Sequence, residues 1–287
     1  MELPAYAKIN LLLSVGARRQ DGYHEIESVV QTLDLHDRLD IRLTDSGKTE
    51  IRCSRPYVPT DERNLIWKAA ARFYEKTGVP MTGLSVRLEK NIPVGAGLGG
   101  GSSDAAAALT ALNSLHHTGL SKEELAEIAA GIGADVPFFI FGGACLARGI
   151  GEKLTPIPSL PNLPVLIVKP PFSVSTPKAY AAFDEYGAQL CPDTDVMLRA
   201  MQSGSLGEIC AALGNSLEAP VCSMHPKITE IREKLLSLGA RGAMMSGAGS
   251  AVFALFGSFQ EAKKAREALA KDFGRCFLTR PAKAAFN

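Results

Sequence analysis

The chain has 287 residues, enough for one large domain or two of ordinary size, and long enough to bury a core without disulfides or metals. Hydrophobic residues make up 46% and charged residues 21%, which excludes a disordered, collagenous or coiled-coil protein. With 31 basic and 30 acidic side chains the formal charge is +1, too small an excess for a protein that holds nucleic acid through its phosphates.

In chain order the elements read as mixed α and β. Residues 7–13 alternate, with Ala7, Ile9 and Leu11 on one face and Lys8 and Asn10 on the other, as a strand requires. Asp21-Gly22 is a turn dipeptide, and strand-like sequence follows from Ile26 to Leu35. Leu39, Ile41 and Leu43 alternate with Arg38, Asp40 and Arg42 and predict a separate, half-exposed strand. A helix is expected over 62–77, stopped by Gly78 with Pro80 just beyond. Leu84, Val86 and Leu88 mark another strand, which leads into a glycine-rich segment. Helices at 101–115 and 122–132 come next, the second opened by Ser121 and Glu124 in capping-box spacing, and then a strand from Gly143 to Arg148. Four prolines within residues 155–164 exclude helix and central strand, and they divide an amino-terminal domain (1–154) from a carboxy-terminal one (165–287). Beyond them lie an apolar strand, Val165 to Val168, and a helix over 226–239 whose stripe is Ile228, Ile231, Leu235 and Leu238. A second glycine turn, Ser246-Gly247-Ala248-Gly249-Ser250, separates two short apolar strands.

The cysteines, Cys53, Cys145, Cys191, Cys210, Cys222 and Cys276, are scattered and read as reduced thiols. Met1-Glu2-Leu3-Pro4 lacks the basic and apolar regions of a signal peptide, and no apolar run approaches the roughly 18 residues of a membrane helix. The expectation is a cytoplasmic protein acting on a small molecule, with neither nucleic acid nor membrane as partner.

The informative stretch is Pro93-Val94-Gly95-Ala96-Gly97-Leu98-Gly99-Gly100-Gly101-Ser102-Ser103-Asp104, followed by alanines. Bare amides feeding a helix amino terminus make an anion site, because the N–H groups point outward and the helix dipole favours negative charge. Ser102 and Ser103 add hydroxyls for a phosphate oxygen or Mg²⁺. The plain alternative is a loop of small residues with a tightly packed helix behind it. Gly95, Gly97 and Gly100 satisfy a dinucleotide fingerprint, but Glu123 and Glu124 open a helix where that motif needs an acid at a strand end. No Gly-Lys-Ser/Thr follows the glycines, so a P-loop is excluded and any lysine on the phosphates comes from elsewhere.

The segment from Pro93 to Ser103 resembles the second signature motif of the GHMP kinases, Ala5-Tyr6-Ala7-Lys8-Ile9-Asn10-Leu11 the first, and Met245 to Ser250 the third. The resemblance implies a two-domain α+β fold: an amino-terminal domain like domain 2 of ribosomal protein S5 and a ferredoxin-like carboxy-terminal domain, with the active site between them. It implies ATP with Mg²⁺, no metal held by protein alone, and a monomer or homodimer. The triphosphate would lie on residues 93–104, with Asn64, Leu65 and Lys90 at the adenosine. Read alone, Asp135 is equally a buried functional carboxylate or the cap of a short helix, and Lys8 an edge-strand lysine; the resemblance makes them a charged catalytic pair with Asp135 as base. Asn10, Gly247 and Gly249 would sit beside the acceptor. Asp21-Gly22-Tyr23-His24, Asn64-Leu65-Ile66 and Gly133 to Phe138 favour a member whose acceptor alcohol carries cytidine diphosphate, CDP-methylerythritol, over the homoserine and mevalonate types. His24 would then read the cytosine edge, Tyr23 would stack on one face of the base, and Tyr180 on the other.

Overall fold

A computed structural model describes residues 1–187, 191–270 and 272–282. Strands β1 (Glu2–Arg18) and β2 (His24–Thr44) form a long antiparallel ribbon, followed by β3 (Thr49–Cys53), α1 (Leu65–Thr77) and β4 (Gly83–Glu89). Three helices, α2 (Gly100–Leu115), α3 (Lys122–Ala130) and α4 (Val136–Phe141), lead to β5 (Ala144–Gly149) and β6 (Lys153–Pro156). The remainder runs β7 (Val165–Lys169), α5 (Thr176–Tyr186), α6 (Thr194–Ser203), α7 (Leu206–Ala211), β8 (Gly214–Asn215), α8 (Glu218–Met224), α9 (Lys227–Ser237), β9 (Gly242–Met245), β10 (Val252–Leu255), α10 (Phe259–Leu269) and β11 (Arg275–Thr279).

The two strands expected over 26–35 and 39–43 are one. Strand β2 stays in register with β1 through shifts at Tyr6/Ala7 and Asn10/Leu12, and it changes partners on its other edge, from β5 at Ile26 to Gln31 to β4 at Arg38 to Thr44. Asp37, a residue that would ordinarily break a strand, is fully buried and satisfied instead: its Oδ1 accepts from the amides of Asn91 and Ile92 at 2.5 and 2.8 Å. Helix α1 starts three residues later than expected, because Asn64 caps it by accepting from the Ile66 amide at 2.9 Å; Gly78, at φ 68°, ends it as expected. The capping box of Ser121 and Glu124 is formed. Pro156 ends β6, which pairs only with β5 among the described strands, an edge position where a missing N–H costs nothing.

One sheet has the path β3-β4-β2-β1-β8 with β5 and β6 branching from β2; the other has the order β11-β7-β10-β9. With α9 between β7 and β9, and α10 between β10 and β11, the second sheet is the ferredoxin-like unit that the resemblance implied, and α5 to α8 are inserted after its first strand. Three apolar clusters order the layers. Phe73, Leu109 and Phe139 fill the space between the first sheet and α1–α4; Ile9, Leu11, Ile167 and Phe253 fill the space between the sheets; Leu166, Ile228, Ile231 and Leu269 pack helices on the outer face of the second. No described helix is long and apolar enough to cross a membrane.

Candidate active site

The glycine segment joins β4 to α2, and its backbone is turned inside out. The carbonyls of Ala96, Gly97 and Leu98 face the protein, accepting from the Ala251 amide at 3.2 Å, the Ser246 hydroxyl at 3.0 Å and the Lys8 amide at 3.0 Å. Among the described residues nothing accepts from the N–H groups of Gly95 to Ser102. Positive φ at Gly95, Gly97 and Gly99 (62°, 75° and 70°) produces this inversion. The free amides converge with the amino terminus of α2, the arrangement that receives phosphate.

They open on a cleft of about 960 Å³, large enough for two substrates. Lys8 stands on its floor, 5% exposed, between the loop and the glycine turn after β9. Its ammonium donates to Asn10 Oδ1 at 2.7 Å and lies 3.4 Å from Asp135 Oδ2, while Asn10 Nδ2 donates to the Ser28 hydroxyl at 2.8 Å. Asn10 therefore aims Lys8, a task the alternation of β1 alone does not disclose. Asp135 occupies the residue before α4 yet accepts no capping hydrogen bond, so the helix-cap alternative fails. It is also not buried, as its apolar surroundings in sequence suggested: its side chain is 48% exposed to the cleft. A carboxylate open on one side and paired to an ammonium on the other is placed to take a proton from a bound hydroxyl.

Lys90 also lines the cleft, with its ammonium engaged inside the protein. Its ammonium is 5% exposed and donates to Asp37 and, at 2.7 Å, to Asp104 Oδ2, so it offers the adenosine no free cation. Burial, resisted by Lys90 and reinforced by the charge of Asp37, holds the Asp104 carboxyl far above the usual range. The two carboxyls and the ammonium thus meet as one buried, hydrogen-bonded trio behind the phosphate cradle. Asn64 and Leu65 line the cleft at the same end, joined by Tyr57, Pro59 and Arg63, none of which the sequence singled out.

At the other end, Tyr23 is 59% exposed on the rim, and His24 is buried beneath it. Tyr180 does not stand free opposite Tyr23. Its ring stacks on His24, with centroids 5.3 Å apart, while Phe183 meets His24 edge-on at 6.0 Å. Burial, and then the charge of Asp135, push the Tyr180 hydroxyl up to about 12. Asp184, also unforeseen, bonds His24 at 2.8 Å; it lies one helical turn beyond Tyr180, and that i, i+4 spacing was the signal available in sequence.

Of the residues expected at the site, Ser103 and Gly249 do not reach the cleft. Ser103 is fully buried behind the loop, and the open side of Gly249 faces the Met245 sulfur. A Cβ on Gly247 would lie 3.1 Å from Asn10 Oδ1 and 3.6 Å from the Lys8 ammonium, so this turn closes the reacting end.

The GHMP kinases N terminal domain matches residues 64–143, and the GHMP kinases C terminal domain residues 197–275. The chain is 41% identical over 280 residues to the 4-diphosphocytidyl-2-C-methyl-D-erythritol kinase of Clostridium kluyveri, covering 98% of this chain and 99% of that one. It is 45% identical over 260 residues to the protein of the same name from Pelotomaculum thermopropionicum, covering 91% and 90%. A crystal structure of 4-(cytidine 5'-diphospho)-2C-methyl-D-erythritol kinase superposes with a TM-score of 0.82 at 38% identity, over 99% of this chain and all of that one.

Proposed function

The chain belongs to the GHMP kinase family, and from that membership we infer its reaction. It is an ATP-dependent kinase that phosphorylates the 2-hydroxyl of 4-diphosphocytidyl-2-C-methyl-D-erythritol, giving the 2-phosphate and ADP, a step toward isoprenoid precursors. The observation that carries the site assignment is the Lys8–Asp135 pair in the same cleft as the amides of Gly95 to Ser102, which have no acceptor among the described residues.

In this reading the triphosphate lies along those amides with its terminal phosphorus toward Lys8. Phosphoryl transfer needs alignment and charge neutralisation more than covalent help. Asp135 accepts the proton of the acceptor hydroxyl as its oxygen bonds the terminal phosphorus and the bond to the ADP oxygen breaks. Lys8, held by Asn10, orients the Asp135 carboxylate and offsets charge on the transferring group. Mg²⁺ would travel on the phosphates. Ser102, half-buried on the cleft wall, is a hydroxyl suited to complete its shell, in keeping with an ion that takes few protein ligands.

Asp135→Asn and Lys8→Ala should each lower kcat by about 10² to 10⁴ while the affinity for ATP holds. Turnover with labelled ATP and CDP-methylerythritol, set against ATP binding by calorimetry, checks this. Near-normal kcat in either variant removes that residue from the mechanism. Homoserine and mevalonate in the same assay should remain unphosphorylated.

A further inference from the structure

His24 has two ring nitrogens, and the fold engages only one. Nε2 meets Asp184 Oδ1 at 2.8 Å, and the other carboxylate oxygen of Asp184 lies 3.7 Å from the Arg18 guanidinium. A carboxylate oxygen facing a ring nitrogen offers lone pairs, so this contact needs the hydrogen on Nε2. In the neutral ring Nδ1 then holds a bare lone pair, and it has no partner among the described residues. The plane of the ring is set by its neighbours: Tyr180 lies on one face and Phe183 stands edge-on. Tyr180, Phe183 and Asp184 all come from α5, so one helix sets both the plane and the protonation of a ring on the opposite wall of the cleft.

We propose that Asp184 is a specificity-determining positioning residue: by fixing His24 as the Nε2–H tautomer, it makes Nδ1 an acceptor that favours the amino group of cytosine and rejects the carbonyl of uracil. The proposal rests on the kinase reading above, because it takes the base of the acceptor substrate to lie against His24. A lone pair facing an amine gains a hydrogen bond, whereas one facing a carbonyl leaves two acceptors opposed in a desolvated site.

The test has two arms. Nitrogen-15 shifts of His24 in the unliganded wild-type protein should report the Nε2–H tautomer, and an Nδ1–H ring would overturn the proposal without any substrate. In Asp184→Leu the tautomer preference should disappear. The ratio of kcat/KM for the cytidine- over the uridine-diphosphate-linked acceptor should fall about tenfold or more, through the acceptor KM and with the KM for ATP within about twofold. A ratio unchanged in that variant would also overturn it. A wild-type chain inactive on the cytidine-linked acceptor would instead defeat the kinase reading, and the tautomer measurement would still decide what Asp184 does.

Discussion

Gly97 and Gly101 stand four positions apart in one motif and answer to different constraints. Gly97 holds φ at 75°, and a Cβ there would run into the Ser246 carbonyl oxygen, a backbone atom with no freedom to yield. Gly101 is helical, and its nearest neighbour would be Leu65 Cδ1 at 3.6 Å, an ordinary contact. Gly97→Ala should therefore destabilise the protein by about 2–4 kcal/mol, and Gly101→Ala should stabilise it by about 0.4–1 kcal/mol by restricting the unfolded chain. Equal losses in urea denaturation would show that the loop shifts freely and that the Ser246 contact is incidental. The glycine spacing announced an anion cradle in sequence. Which glycine is indispensable could not be read there, because Ser246 is 149 positions away from Gly97. The same holds for Lys90: nothing near it in sequence announces Asp37, which reaches it only when β2 and β4 pair.

Among the elements, those with a strong local signal were legible: the Gly78 stop of α1, the capping box of α3, the stripe of α9 and the paired strands around the second glycine turn. The six-residue α4 carried no period because it is apolar nearly all round, and the short α7 and α8 because each buries only one or two side chains. Helix α8 owes its place to one carboxylate. Glu218, at its start, accepts from the Met245 amide at 2.8 Å and from Arg232 at 3.0 Å, tying α8 to β9 and α9. Burial pushes the Glu218 carboxyl up, against the pull of those two donors. Its folded value lies above the unfolded one, so the stabilisation it brings is complete below the unfolded carboxylate range and is lost as pH rises through the folded value. Glu218→Gln cannot titrate. The advantage of wild type over Glu218→Gln in unfolding free energy should shrink from about pH 4 toward neutrality, the range in which a raised carboxyl ionises. An advantage that grows with pH in denaturant titrations would mean that Arg232 outweighs burial.

At the scale of the molecule, the two sheets meet at the reacting end of the cleft, and Asn215 is the joint. It belongs to β8, which pairs parallel with β1 at Leu12 and Leu13, so it lies beside the strand that carries Lys8 and Asn10. Its side chain, 3% exposed, donates to the carbonyls of Met245 and Gly247 at 2.9 and 2.8 Å and accepts from the Leu217 amide at 2.9 Å. The second sheet's glycine turn is thereby pinned against the first sheet. Asn215→Ala would strand two buried carbonyls and one amide, each costing about 1–3 kcal/mol, so a total loss of about 3 kcal/mol or more is expected in equilibrium unfolding. Because Gly247 borders Asn10 and the Lys8 ammonium, kcat should fall in the same variant even at temperatures where it stays folded. Asn215→Asp restores the acceptor but turns a carboxylate oxygen toward two carbonyls, and should be no better. A loss below about 1 kcal/mol with unchanged kcat would mean that the apolar contact between the sheets, Ile9 and Leu11 against Ile167 and Phe253, holds the turn in place without Asn215.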